Sequence, residues 1–87
     1  MKYSVEYLPQ AVKTLEKMDK YTKRILIEWI EKHLVGCSDP RIHGKALTAN
    51  RVGQWRYRVG DYRIMAKIQD SRLIILIIAI GHRREIY

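Results

Sequence analysis

Cysteine is almost missing from this chain. Cys37 stands alone, which excludes an intrachain disulfide, and no Cys/His spacing of the zinc-binding kind accompanies it. Long apolar runs are missing too. The longest, Leu73 to Ile80, is far short of the roughly 20 residues that span a bilayer. The first residues carry charges at Lys2 and Glu6 and no apolar signal segment. A soluble protein of the reducing cytoplasm is therefore expected, with no membrane contact. There is no glycine-rich phosphate loop, no Ser-His-Asp set and no metal-ligand cluster, and the three histidines lie far apart in sequence.

Carboxylates are the last shortage, and it is uneven. Residues 1–40 hold seven Lys/Arg against six Asp/Glu, a net +1, whereas residues 41–87 hold ten against three, a net +7. Eight of the nine arginines lie after residue 40. Arginine is the residue suited to bidentate phosphate recognition, so the basic half favours a nucleic-acid or acidic-protein partner over a small neutral ligand. What is present in quantity is apolar side chain, 47% of 87 residues, enough for the modest core of one small domain spanning residues 1–87.

Tyr3, Val5 and Tyr7 alternate with Lys2, Ser4 and Glu6, so the chain opens with a strand. Pro9 suits the first position of a helix, where its missing N–H costs nothing. Ala11, Val12, Leu15 and Met18 follow at helical spacing. Asp19 is placed to cap a second helix. That helix carries Ile25, Leu26, Trp29, Ile30, His33 and Leu34 inward and ends near Gly36, with His33 read as helix surface or core edge. From Cys37 to Gly53 the periodicity dissolves into loop. His43, Lys45 and Arg51 extend the basic surface there.

The stretch Gln54 to Ile68 is a hairpin. Trp55, Tyr57 and Val59 alternate with Gln54, Arg56 and Arg58, and Gly60-Asp61 supplies a two-residue turn in which Gly accepts a positive φ. Folding that turn sets Val59 against Tyr62, Arg58 against Arg63, Tyr57 against Ile64, Arg56 against Met65 and Gln54 against Lys67. Every aromatic and aliphatic residue except Met65 then lands on one side, and Arg56, Arg58, Arg63 and Lys67 land on the other. Like charges directly opposite destabilise a sheet, so Arg58 against Arg63 reads as a place held for an anion. The alternative is a solvated basic face.

Asp70-Ser71 makes a further turn, and Arg72 to Ile80 forms a last strand that is apolar on both faces. Leu73, Ile75 and Ile77 join the core. Ile74, Leu76 and Ile78 share the arginine face, where an exposed apolar patch would mark a partner site. The fold class that follows is α+β, an N-terminal strand and two-helix hairpin packed on a mainly antiparallel twisted sheet of about four strands.

The basic half has only Asp61, Asp70 and Glu85 as carboxylates, which leaves metal-assisted hydrolysis and paired-carboxylate catalysis poorly supplied. What remains is Arg, Lys, Tyr and His82, the last in the tail GHRREIY. Such a set binds a phosphodiester and stabilises the added charge of a pentacoordinate transition state. An RNA-binding surface without catalysis would carry nearly the same residues.

The order strand, two helices, loop, then WRYRVGDYRIMAKI and IAIGHRREIY resembles the RelE toxins of prokaryotic toxin–antitoxin pairs over essentially the whole chain. The resemblance implies a ribosome-dependent mRNA endoribonuclease that cuts in the A site, needs no metal or cofactor, proceeds by attack of the ribose 2′-hydroxyl, and is neutralised by a cognate antitoxin. It assigns catalytic roles to Arg63 and Arg83 and a base-stacking or proton-transfer role to Tyr87. From the residues themselves, His82, whose ordinary pKa of about 6.5 lies near neutrality, is the first candidate for proton carrier. Arg56, Arg58, Lys67, Lys45, Arg51 and Arg84 are then expected to bind RNA, and Ile74, Leu76 and Ile78 to bind the antitoxin. Two departures stand out. Arg56 and Arg58 occupy positions where some members have lysine, and the tail stops at Tyr87 where others continue into a helix, which is expected to leave the apolar patch more open. Parity raises a further question. Continuing the last strand puts His82 and Arg84, not Arg83, on the basic face, unless a bulge at Gly81 reverses it. A ParE-like toxin, which shares the fold but binds DNA gyrase and cuts no RNA, is the alternative.

Overall fold

The computed structural model describes residues 1–47 and 53–83. The elements are β1 (Ser4–Tyr7), α1 (Pro9–Lys17), α2 (Lys20–His33), β2 (Gly44–Ala46), β3 (Gln54–Val59), β4 (Tyr62–Gln69), a 3-10 turn (Asp70–Arg72) and β5 (Ile74–His82). Five strands form one sheet in the order β1-β5-β4-β3-β2. β1 runs parallel to β5, and the other neighbours are antiparallel.

This is the α+β fold expected, with five strands where about four were expected. The extra one, β2, is a three-residue edge strand lying inside the stretch read as loop, too short for any periodicity to show. It holds its place by close approach, because a Cβ at Gly44 would run into the Arg56 carbonyl and the Trp55 ring.

Pro9 opens α1, and Met18, in extended conformation, ends it. The Asp19 carboxylate caps α2 by accepting from Thr22 N at 3.1 Å and Thr22 Oγ1 at 2.7 Å. Gly36, at φ +75°, turns the chain so that its N–H donates to the Tyr3 carbonyl at 2.8 Å, tying the end of α2 to β1. Leu26, Ile30 and Leu34 are buried as expected, but Val12 and Ile25 are exposed. Each sits on the shoulder of its apolar stripe, beyond the arc that faces the sheet.

The helices cover one sheet face. Leu26, Ile30, Tyr57, Ile64, Ile75 and Ile77 are at most 1% exposed. Burying each such side chain contributes about 1.5–3 kcal/mol. The Tyr57 hydroxyl donates to the Pro40 carbonyl at 2.7 Å inside this layer, and burial pushes its ionisation well above the usual phenol range. Among the described residues no helix is long and apolar enough to cross a membrane.

Candidate functional site

The β3–β4 register is the one expected, with Arg58 opposite Arg63, Arg56 opposite Met65 and Gln54 opposite Lys67. Gly60 takes φ +59° and Asp61 stays at negative φ, the pattern of a type II′ hairpin turn. β2 adds Lys45 directly opposite Arg56. Lys45, Arg56, Arg58, Arg63 and Lys67 therefore share the sheet face away from the helices. A depression of about 290 Å³ lies at its β2 edge, lined by Ile42, His43, Gly44, Lys45, Arg56 and Arg58. Among the described residues no carboxylate lines it. Two like-charged cross-strand pairs stand on one surface, an arrangement that sheet stability alone opposes.

Arg63 departs from the expected exposed cation, being only 8% exposed. Its Nη1 bends back over the turn to donate to the carbonyls of Tyr62 at 3.2 Å and Gly60 at 3.4 Å, and its Nε is buried without a hydrogen-bond partner. The tight turn brings its own carbonyls within reach of the guanidinium. Across β5 it pairs with Gly81, which has no side chain to push it outward. An unpaired buried donor costs about 1–3 kcal/mol, which an acceptor from outside would relieve.

The parity of the tail is decided by a bulge, though not at Gly81. Met65 pairs with Ala79, but Ala66 pairs with Ile77, so Ile78 is an extra residue in β5. Its carbonyl accepts from Gln10 Nε2 at 2.7 Å, so α1 satisfies the group the ladder leaves over. Beyond the bulge Gly81 faces Arg63 and His82 faces Tyr62. Alternation therefore returns Arg83 to the arginine side and sends His82 to the helix side. His82 thus does not join the arginines. Its ring meets Tyr62 edge-on at 5.5 Å, in a separate depression of about 460 Å³ lined also by Thr14, Lys17, Met18 and Asp19. Arg83 is exposed, and its N–H donates to the Asp61 carbonyl at 2.8 Å. Arg51, Arg84 and Tyr87 lie outside the described residues.

The expected open apolar patch is corrected as well. Ile74 is only 7% exposed, and Leu76 and Ile78 are half-buried. β1 flanks them, with Ser4 opposite Ile74 and Glu6 opposite Leu76. Met65 is fully buried on this face.

Two constellations escaped the sequence reading. Arg41 grips Asp70 with both terminal nitrogens, at 3.0 and 2.9 Å, while the Tyr3 hydroxyl donates to the same carboxylate at 2.6 Å. These bonds lower the Asp70 pKa to about 2. Arg41 also lies 5.8 Å over the Trp55 ring. The second constellation is aromatic. His33 and His43 meet at 4.8 Å between ring centroids, and Trp29 packs on His33 at 4.8 Å and on Tyr57 at 5.7 Å. Burial lowers the pKa of His33, with His43 and Lys32 adding to the effect. Nothing in a ten-residue separation across a helix end signals that contact. Among the described residues no group of three or more His, Cys, Asp or Glu side chains is placed to hold a metal ion.

Comparison with known proteins adds to this geometry. A family profile described as the ParE toxin of the type II toxin–antitoxin system parDE matches residues 5–87. Toxin RelG of Mycobacterium tuberculosis is 28% identical over 87 residues, covering 100% of this chain and 98% of the relative. A putative RelE-like toxin protein of Escherichia coli is 26% identical over 86 residues, covering 98% and 87%. The toxin–antitoxin complex RelBE2 of M. tuberculosis contains a chain that superposes with a TM-score of 0.86 at 25% identity, covering 98% of this chain and 95% of that one.

Proposed function

The chain belongs to the RelE/ParE family of toxins of type II toxin–antitoxin systems, and from that premise we propose that it is a ribosome-dependent endoribonuclease of the RelE type, cutting mRNA in the A site and so inhibiting translation. Residues 1–87 act as one domain in the cytoplasm, where ribosomes are, and a cognate antitoxin holds the toxin inactive. The RelBE2 complex pairs such a toxin with its antitoxin.

The observation that carries this reading is the arginine face. Lys45 opposite Arg56 and Arg58 opposite Arg63 concentrate cations where strand pairing disfavours them, and a polyanion gives that cost a purpose. RNA carries its own nucleophile in the 2′-hydroxyl, so the protein need only orient the strand and stabilise charge. Lys45, Arg56 and Arg58 grip the phosphodiester, with Lys67, Arg51 and Arg84 extending the track. Arg63 and Arg83 stabilise the developing charge, and Tyr87 stacks on a base. Arginine cannot accept a proton, so a separate group must take the one from the 2′-hydroxyl.

The family profile's ParE description favours a second reading, a toxin that acts on DNA gyrase and cuts no RNA. One experiment separates the two: the protein is added to translating ribosomes and the mRNA ends are mapped. Cleavage in the A site leaving a 2′,3′-cyclic phosphate is expected. Intact mRNA together with gyrase-dependent DNA breaks would overturn the nuclease reading.

A further inference from the structure

We propose that His43 is the catalytic residue that accepts the 2′-hydroxyl proton in this site. The inference rests on the ribonuclease reading and adds to it the base that reading lacks.

His43 lines the same depression as Lys45, Arg56 and Arg58. The β2–β3 pairing runs Lys45–Arg56 and then Gly44–Tyr57, and His43 directly precedes β2 at the end where Arg58 follows Tyr57 in β3. Among the described residues, every other ionisable side chain lining the depression is Lys or Arg, and neither arginine can act as a base. Imidazole is the side chain whose ordinary pKa, about 6.5, suits proton transfer near neutrality. The remaining candidate of that type near the sheet, His82, is on the opposite face, opposite Tyr62.

The ring is also positioned. His33, in the last turn of α2, meets His43 at 4.8 Å, and Trp29 approaches it edge-on at 6.3 Å. Among the described residues, the charged and titratable groups around His43 are His33 from α2, Lys45 from β2, and Arg56 and Arg58 from β3. Burial lowers the pKa of His33, which disfavours a charge on the ring that packs against His43. His33 is thus a positioning residue for His43.

The step balances. His43 takes the proton of the 2′-hydroxyl, the 2′-oxygen forms a bond to phosphorus, and the bond from phosphorus to the 5′-oxygen breaks. The leaving 5′-oxygen takes a proton from water, and the imidazolium returns its proton to the hydroxide so formed. The products are a 2′,3′-cyclic phosphate and a 5′-hydroxyl.

The test is single-turnover cleavage of mRNA on programmed ribosomes across pH, with ribosome binding measured in parallel. His43→Gln is expected to slow cleavage roughly 10²–10³-fold, within the usual reach of a general base, while changing ribosome affinity by less than about threefold. His43→Ala is expected to recover part of its rate when free imidazole is added, which loss of a purely structural contact would not allow. The wild-type protein gives an independent check, because the acid limb of its rate profile should share the inflection of the His43 resonances followed by NMR. Unequal inflections would overturn the assignment, as would a His43→Gln protein that cleaves at the wild-type rate, or transfer of the acid limb to His82→Gln. Absence of wild-type cleavage would instead overturn the nuclease reading, and this inference with it.

Discussion

Arg63 lies opposite Gly81 across β4 and β5. Carrying the Ala66–Ile77 pairing onward without a bulge would set Arg63 against Ile80 and Tyr62 against Gly81. An apolar residue that is now 5% exposed would leave the core, and Arg83 would turn to the helix side. The single extra residue, Ile78, keeps Ile80 inside and delivers Arg83 to the arginine face. One register shift thus serves both core and site.

Deleting Ile78 is therefore expected to be severe, because everything after it changes face. The expected loss in denaturant unfolding exceeds that of Gln10→Ala, which removes only the bond to the bulge carbonyl and should cost about 0.5–1.5 kcal/mol. A deletion as stable as Gln10→Ala would show that the bulge does not set the register.

Asp70 ties Tyr3 and Arg41 together, and the sign of its pH effect is fixed by its depressed pKa. Its carboxyl falls from an ordinary 3.8 to about 2 in the folded protein. Its contribution is fully present above about pH 4 and is lost as pH falls through about 2. Asp70→Asn should flatten that part of the stability curve and leave the neutral side unchanged in shape. Both partners are substantially exposed, so the difference should shrink with added salt.

RNA affinity should be driven largely by phosphate contacts. Neutralising about four phosphates gives a slope of log K against log salt of roughly −3 for single strands, and Arg58→Ala should reduce its magnitude by about 0.7. A salt-independent affinity would remove RNA from this face.

Arg63→Ala or Arg83→Ala should lower the cleavage rate roughly 10²–10³-fold, the scale of losing one transition-state donor. Arg63→Ala also deletes a buried side chain, so its stability must be measured beside its rate. Arg83 is exposed, and its variant should lose rate at unchanged melting temperature. Equal rates for wild type and Arg83→Ala would exclude the tail from the site.

Leu76 is half-buried between β1 and β4, on the face expected to meet the antitoxin. Leu76→Glu is expected to weaken the toxin–antitoxin complex more, in fold-change of Kd, than it weakens folding. An antitoxin that contacts the helices alone would leave this variant's affinity intact.

The hairpin was legible residue by residue. Period-two alternation and a two-residue turn leave one register that buries the apolar side chains, so the Arg58–Arg63 pair, the odd position of Met65 and the arginine face all followed from residues 54–68. The Asp19 cap, the Pro9 start and the stop near Gly36 were legible for the same reason, since each is decided within one helical turn.

The remainder was settled between distant segments. β2 has three residues and exists because Gly44 fits under Trp55 and beside Arg56. The bulge at Ile78 is invisible in the run Leu73 to Ile80, where every residue is apolar and no alternation marks a face. Arg63 is buried because the turn carbonyls fold back to it and Gly81 stands opposite. His33 and His43 meet because the loop after α2 returns to the end of that helix. Local periodicity reports which way a side chain points along its own strand or helix. Which residue it then meets depends on how distant segments are brought together, as the Arg63–Gly81 pairing and the His33–His43 contact show.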